Sequence, residues 1–169
     1  MVGAKKHLNG ESRILVPSPK VETYDLKPEM SAIEVTDNVI QVIKAADTDC
    51  IIVNFANGDM VGHTGSMEAA LSAMETVDKC LGKILKELHA VSGEAIIIAD
   101  HGNCEYMIDP VTGEPNTTHT TYDVPVVVVS DRVKSIKSGS LADVAPTLLT
   151  LMGEKIPKEM TGKSVITLK

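Results

Sequence analysis

Three short runs of apolar, largely β-branched residues constrain this chain most: residues 50–55 (CIIVNF), 95–99 (AIIIA) and 124–129 (VPVVVV). Strand side chains alternate between two faces, so an uninterrupted apolar run is stable only when both faces are covered. These runs therefore read as inner strands with helices packed on them. The intervening sequence supplies the helices. One opens at Ser31, with Glu34 at capping-box spacing and Met30 and Val35 placed for a hydrophobic staple. Ile33, Val39, Ile40 and Ile43 form its apolar stripe. The longest helix is expected over residues 66–90, with Leu71, Met74, Leu81, Ile84, Leu85 and Leu88 on one face and Ser92-Gly93 ending it. A last helix runs from Ser140 through Leu151, with Pro146 early in it and Gly153 just past its end. Residues 13–16 (RILV) are a further strand, stopped by Pro17 and Pro19. This alternation predicts a layered α/β domain.

At 169 residues the chain is long enough for one domain with its own core. Its net charge of −7 and 2% aromatic content argue against nucleic acid as a partner. No apolar run reaches the roughly 18 residues of a membrane span, and the polar start lacks the apolar stretch of a signal peptide. Cys50, Cys80 and Cys104 are odd in number and widely spaced, which points to a reducing cytoplasm; Cys50 and Cys80 read as small core residues. Arg13 and Arg132 are the sole arginines, so strong bidentate binding of an anionic substrate has to come from elsewhere.

Polar residues gather beside the three runs. After CIIVNF comes NGDMVGHTG (residues 57–65), after AIIIA comes DHGN (100–103), and before VPVVVV comes TTHTT (117–121). In open α/β sheets, ligands bind in loops beyond the strand ends. Asp and neutral His are ligands for Mn²⁺, Zn²⁺ or Fe²⁺. Asp59 and His63 are four apart, so a helical turn or a compact glycine-rich loop aims both at one ion. Asp100, His101 and His119 complete the candidate ligand set. His7 and His89 lack such company and read as surface residues, and Glu105 and Asp109 as structural or solvated acids.

The segments Asn57-Gly-Asp-Met-Val-Gly-His-Thr-Gly65, Asp100-His-Gly-Asn103 and Thr118-His-Thr-Thr121 resemble motifs of the cofactor-independent phosphoglycerate mutases. Pro17-Ser-Pro-Lys-Val21, Tyr24-Asp-Leu, Pro28-Glu-Met30 and Met160-Thr-Gly-Lys-Ser164 look like the same family, and Asp143-Val-Ala-Pro-Thr147 resembles a helix shared across the alkaline phosphatase superfamily. The resemblance runs from about Gly10 to the C-terminus, leaving residues 1–9 as a disordered or vector-derived start. It implies a three-layer sandwich with a largely parallel central sheet, alkaline phosphatase-like and incomplete, with residues 10–169 as part of a phosphatase-like metal-binding domain. It also implies two Mn²⁺ ions in the intact enzyme, one held by Asp59, His63 and His119, the other receiving Asp100 and His101.

By the same resemblance, the intact enzyme interconverts 2- and 3-phosphoglycerate through a phosphoserine, the serine hydroxyl attacking in line with its pKa lowered by a metal. No serine of this chain matches that nucleophile's motif, Ser66 included, and no arginine-rich glycerate-binding domain accompanies it. The chain therefore reads as a catalytically silent portion with no catalytic residue of its own. The rival readings are a portion of another phosphomutase or phosphatase of that superfamily, or a non-catalytic metal-binding module.

Overall fold

The computed structural model describes residues 7–169, so residues 1–6 of the expected disordered start lie outside it. Four helices and four short strands follow in the order α1 (Ala32–Ala45), α2 (Asn57–Gly62), α3 (Met67–Ala90), β1 (Ala95–Ile98), β2 (Val126–Val129), β3 (Val133–Ile136), α4 (Val144–Met152) and β4 (Ile166–Leu168). No helix among the described residues is long and apolar enough to cross a membrane.

α1, α3 and α4 fall where the sequence pattern puts them, α2 forms in the glycine-rich stretch read as a helical turn or compact loop, and the helix ends are fixed differently from the expected pattern. Ser31 does not cap α1: its hydroxyl donates to the Pro17 carbonyl at 2.7 Å, tethering the proline-rich segment to the helix start. The Met30–Val35 staple also gives way, because the two side chains enter different apolar clusters. Ser66 does cap α3, accepting from the Ala69 N–H. The capping box lies instead at Ser140 and Asp143, ahead of α4. That helix ends at Gly153, whose φ of 75° is the left-handed conformation that favours glycine.

The strands depart further from expectation. β1 and β2 pair antiparallel, with Ala95 opposite Val129 and Ile98 opposite Val126, and β3 and β4 form a second antiparallel pair with an irregularity between Val133 and Ser135. Each sheet has two strands, so among the described residues no parallel sheet is present. Residues 13–16 and 50–55 adopt no strand at all. Leu15 is 91% exposed and Ile52 88%. A strand exists only through hydrogen bonds to a neighbour, and neither segment has a ladder partner among the described residues. Cys50 is consequently exposed rather than in the core, whereas Cys80 is buried as expected. The valines of β2 are not covered on both faces either: Val126, Val127 and Val129 remain exposed.

The core divides into three clusters. Met30, Val61, Ala69 and Ala73 pack α2 against the start of α3. Val39, Ile43 and Ile84 join α1 to the middle of α3, with Val35, Ile40, Phe55 and Leu88 around them. Leu151, Val165 and Ile166 seat α4 on the strands, against Ile96, Val128, Val133 and Leu168. The buried residues of α3 are thus Ala69, Ala70, Ala73, Cys80 and Ile84, on one helical face, while Leu71 faces outward and the half-exposed Met74 reaches Gly58 of α2. Small residues at the start of α3 let α2 approach closely, which brings the α2 side chains over the loop after β1.

Candidate metal centre

The segment after residues 50–55 winds into the short helix α2, and Asp59 within it and His63 at its C-cap, still in helical conformation, are one turn apart and share a face. Its Asn57 is buried and donates to the Pro28 carbonyl at 2.8 Å, fixing where the helix begins. The loop after β1 carries Asp100 to Asn103, and the segment before β2 carries His119; an isolated antiparallel bridge between Gly102 and Thr120 holds these two stretches together. The Thr120 N–H donates to the Gly102 carbonyl at 3.0 Å.

The three loops converge on the Asp59 carboxylate. Its Oδ1 lies 2.8 Å from His119 Nε2, 3.1 Å from His63 Nε2 and 3.7 Å from His101 Nε2. One ligand-type atom from each of Asp59, His101 and His119 fits within 4.8 Å of the others. The rings of His101 and His119 stack with centroids 3.8 Å apart, and His63 Nε2 lies 3.1 Å from His119 Nε2. Asp100 stands apart from this convergence: its side chain is 74% exposed and its Oδ1 is 3.9 Å from His101 Nε2.

Hydrogen bonds at the rim set which atoms face inward. His63 Nδ1 lies 2.7 Å from the Thr117 carbonyl, which can only accept, so Nδ1 carries a proton and Nε2 is the ring nitrogen turned to Asp59. His101 Nδ1 donates in the same sense to the Gly102 carbonyl at 3.3 Å. Asn103 Nδ2 donates to Asp59 Oδ1 at 3.3 Å and to its carbonyl at 3.4 Å. That orientation leaves the buried Asn103 Oδ1 without a partner, pressed on Gly62, where a Cβ would collide with it. Turning the amide over would put oxygen against a carboxylate, which costs more than one unpaired acceptor. Desolvation pushes the Asp59 carboxyl up, but the His119 hydrogen bond, the nearby His63 and the Asn103 donor outweigh it and hold it below the usual range. An ionised carboxylate among imidazole nitrogens is a donor set that fits a divalent first-row cation, which takes the place of the Nε2 protons.

Two residues escaped the sequence reading. Asn103 belongs to the quoted motif, yet nothing in the sequence says that it faces Asp59. Glu105, expected to be structural or solvated, accepts from the Asn103 N–H at 2.6 Å and from the Thr120 hydroxyl. Desolvation raises its carboxyl, but the Thr120 hydroxyl and backbone N–H donors prevail and lower it. Asp109 is structural as expected, accepting from the N–H groups of Val111 and Thr112 in a turn. His7 and His89 are exposed and away from the cluster.

The chain is similar to known proteins over nearly its whole length. The chain is 57% identical over 167 residues to the 2,3-bisphosphoglycerate-independent phosphoglycerate mutase of Pseudomonas aeruginosa, a match covering 98% of this chain and 32% of that protein. The corresponding mutase 1 of Methanosarcina acetivorans is 54% identical, with 97% of this chain and 32% of that one covered. The chain thus spans about a third of the length of these relatives. A crystal structure of Leishmania mexicana phosphoglycerate mutase at low cobalt concentration superposes with a TM-score of 0.83 at 32% identity, over 91% of this chain and 31% of that one. The model of the Metalloenzyme superfamily matches residues 1–156, a stretch that takes in all three converging loops, and the chain belongs to that superfamily.

Proposed function

We propose that the chain is the metal-binding portion of a cofactor-independent phosphoglycerate mutase, the glycolytic isomerase that interconverts 2- and 3-phosphoglycerate. The observation that carries this reading is the convergence of Asp59 Oδ1 with three imidazole Nε2 atoms, in a chain 57% identical to such a mutase. Asp59, His63 and His119 hold one Mn²⁺, and Asp100 and His101 contribute to a second site. A divalent ion bound there supplies charge neutralisation at the phosphoryl oxygens during transfer.

The chain's own residues prepare that chemistry. Thr117 fixes the His63 tautomer through its carbonyl, and Asn103 orients the Asp59 carboxylate. Ser66 is engaged as the cap of α3 and is not the phosphoryl acceptor. Residues 13–16 and 50–55 are strands of the three-layer, largely parallel sheet once neighbours pair with them. The protein works in the cytoplasm on free phosphoglycerates, with neither nucleic acid nor membrane as partner, and this chain alone turns over 3-phosphoglycerate negligibly.

Titration calorimetry of the chain with Mn²⁺ at mildly alkaline pH tests the metal assignment. The expected result is about one ion per chain, abolished by His119→Ala, in keeping with the count of complete ligand sets. Absence of Mn²⁺ binding to the wild-type chain, or binding unchanged by His119→Ala, would overturn the assignment.

A further inference from the structure

The loops that carry His101 and His119 are joined by more than the stacking of the two histidine rings. They meet at the Gly102–Thr120 bridge, and a single carboxylate spans the junction. Glu105 accepts from the Asn103 N–H on one side, at 2.6 Å, and from the Thr120 hydroxyl on the other. Each acceptor contact falls next to a candidate ligand or its orienting group: Asn103 holds Asp59, and Thr120 follows His119. Gly102 is pinned in the same place, because a Cβ there would run into both the Glu105 carboxylate and the Thr120 hydroxyl. The fold has thus given up a side chain at residue 102 to let the clasp close.

We infer that Glu105 is a positioning residue of the metal centre, its carboxylate clasping Asn103 and Thr120 so that His101, His119 and Asp59 keep their mutual spacing. The inference rests on the metal-centre reading above. Glu105 touches none of the three candidate ligands through a hydrogen bond; it acts through the groups beside them. Outer partners of this kind typically govern metal affinity by 10–100-fold, because a ligand that must first be ordered binds more weakly.

Mn²⁺ affinity of the whole chain, measured by titration calorimetry on single and double variants, tests it. Glu105→Ala is expected to weaken binding by about tenfold or more. Thr120→Val removes the Glu105–Thr120 bond without changing charge and should weaken binding in the same direction, whereas Thr120→Ser keeps the hydroxyl and should bind as wild type. Because the bond is already lost in Glu105→Ala, adding Thr120→Val to it should cost nothing further. A general loss of structure would give neither the serine rescue nor this non-additivity. Should Glu105→Ala fail to fold, the Thr120→Val and Thr120→Ser pair decides alone. If wild type binds Mn²⁺ and His119→Ala abolishes it, yet Glu105→Ala and Thr120→Val bind within about twofold of wild type, the metal centre stands and the clasp is overturned. If wild type binds no Mn²⁺, both fall together.

Discussion

Glu94 stands immediately before β1 and Arg132 shortly after β2, so one ion pair closes the end of the β1–β2 sheet remote from the metal centre. The Arg132 guanidinium meets the Glu94 carboxylate through two nitrogens and reaches on to the Leu151 carbonyl, while the Ser130 hydroxyl donates to the same carboxylate. The Arg132 hydrogen bond, against desolvation and with help from Ser130, holds the Glu94 carboxyl below its ordinary range. A depressed carboxyl contributes stability above the unfolded-state pKa, about 4.3 for Glu, and loses it as pH falls through the folded value. Glu94→Gln is therefore expected to melt at lower temperature than wild type at pH 7, with the gap narrowing towards pH 3. Melting curves at the two pH values check this, and a gap that widened on acidification would contradict it. At this same scale the sequence conveyed the ligand types but not their supports. Asp59, His63, His101 and His119 stand out because a ligand's chemistry is written in its own side chain. Asn103 and Glu105 act through what they touch, and their partners, Asp59 and Thr120, lie 44 and 15 residues away.

Helices and strands were legible to different degrees for a physical reason. A helix satisfies its own backbone, so α1 and α3 could be read from spacing alone, as could α4 from Pro146 and Gly153. A strand depends on a neighbour that can lie far off in sequence; residues 50–55 have the composition of a strand but no ladder partner among the described residues, and so form none, with residues 50–54 left exposed. Helical spacing also overstated how bulky the α3 interface is, since alanines occupy its closest approach and Leu71 turns outward. The side chain that anchors the α1–α3 contact is Ile84, which is 7% exposed and packed with Val39 and Ile43. Ile84→Ala is expected to destabilise the chain by about 2–5 kcal/mol, the range for a buried large-to-small change. Leu71→Ala, on the exposed side of the same helix, should cost well under half of that. Chemical denaturation of the two variants settles the ranking; equal losses would move the helix interface.

Over the whole molecule the apolar surface is distributed unevenly. Residues 12–18 and 50–57 line a groove of about 430 Å³ alongside α1, and Leu15 and Ile52 stand almost fully in the open there. Exposed apolar side chains on segments that join no sheet invite burial against another surface, which makes this face the expected seat of self-association. Light scattering of wild type against Ile52→Lys should show the apparent mass of wild type rising with concentration and that of the variant rising less; identical curves would place the association elsewhere. None of the candidate ligands lines that groove, and the metal centre bears on the molecule in another way. Asp59 and His119 are sixty residues apart in the chain, and the bonds around them run between residues 57–65 and 102–119. An ion held by both ends ties off a loop of that length, restricting the unfolded chain only if it stays bound there, and otherwise acting as a ligand of the folded state alone. At a hundredfold excess over its dissociation constant, such a ligand adds about 2.7 kcal/mol to folding. The melting temperature becomes a meter of metal occupancy: a chelator should lower it in wild-type protein saturated with Mn²⁺ and leave Asp59→Ala where it was.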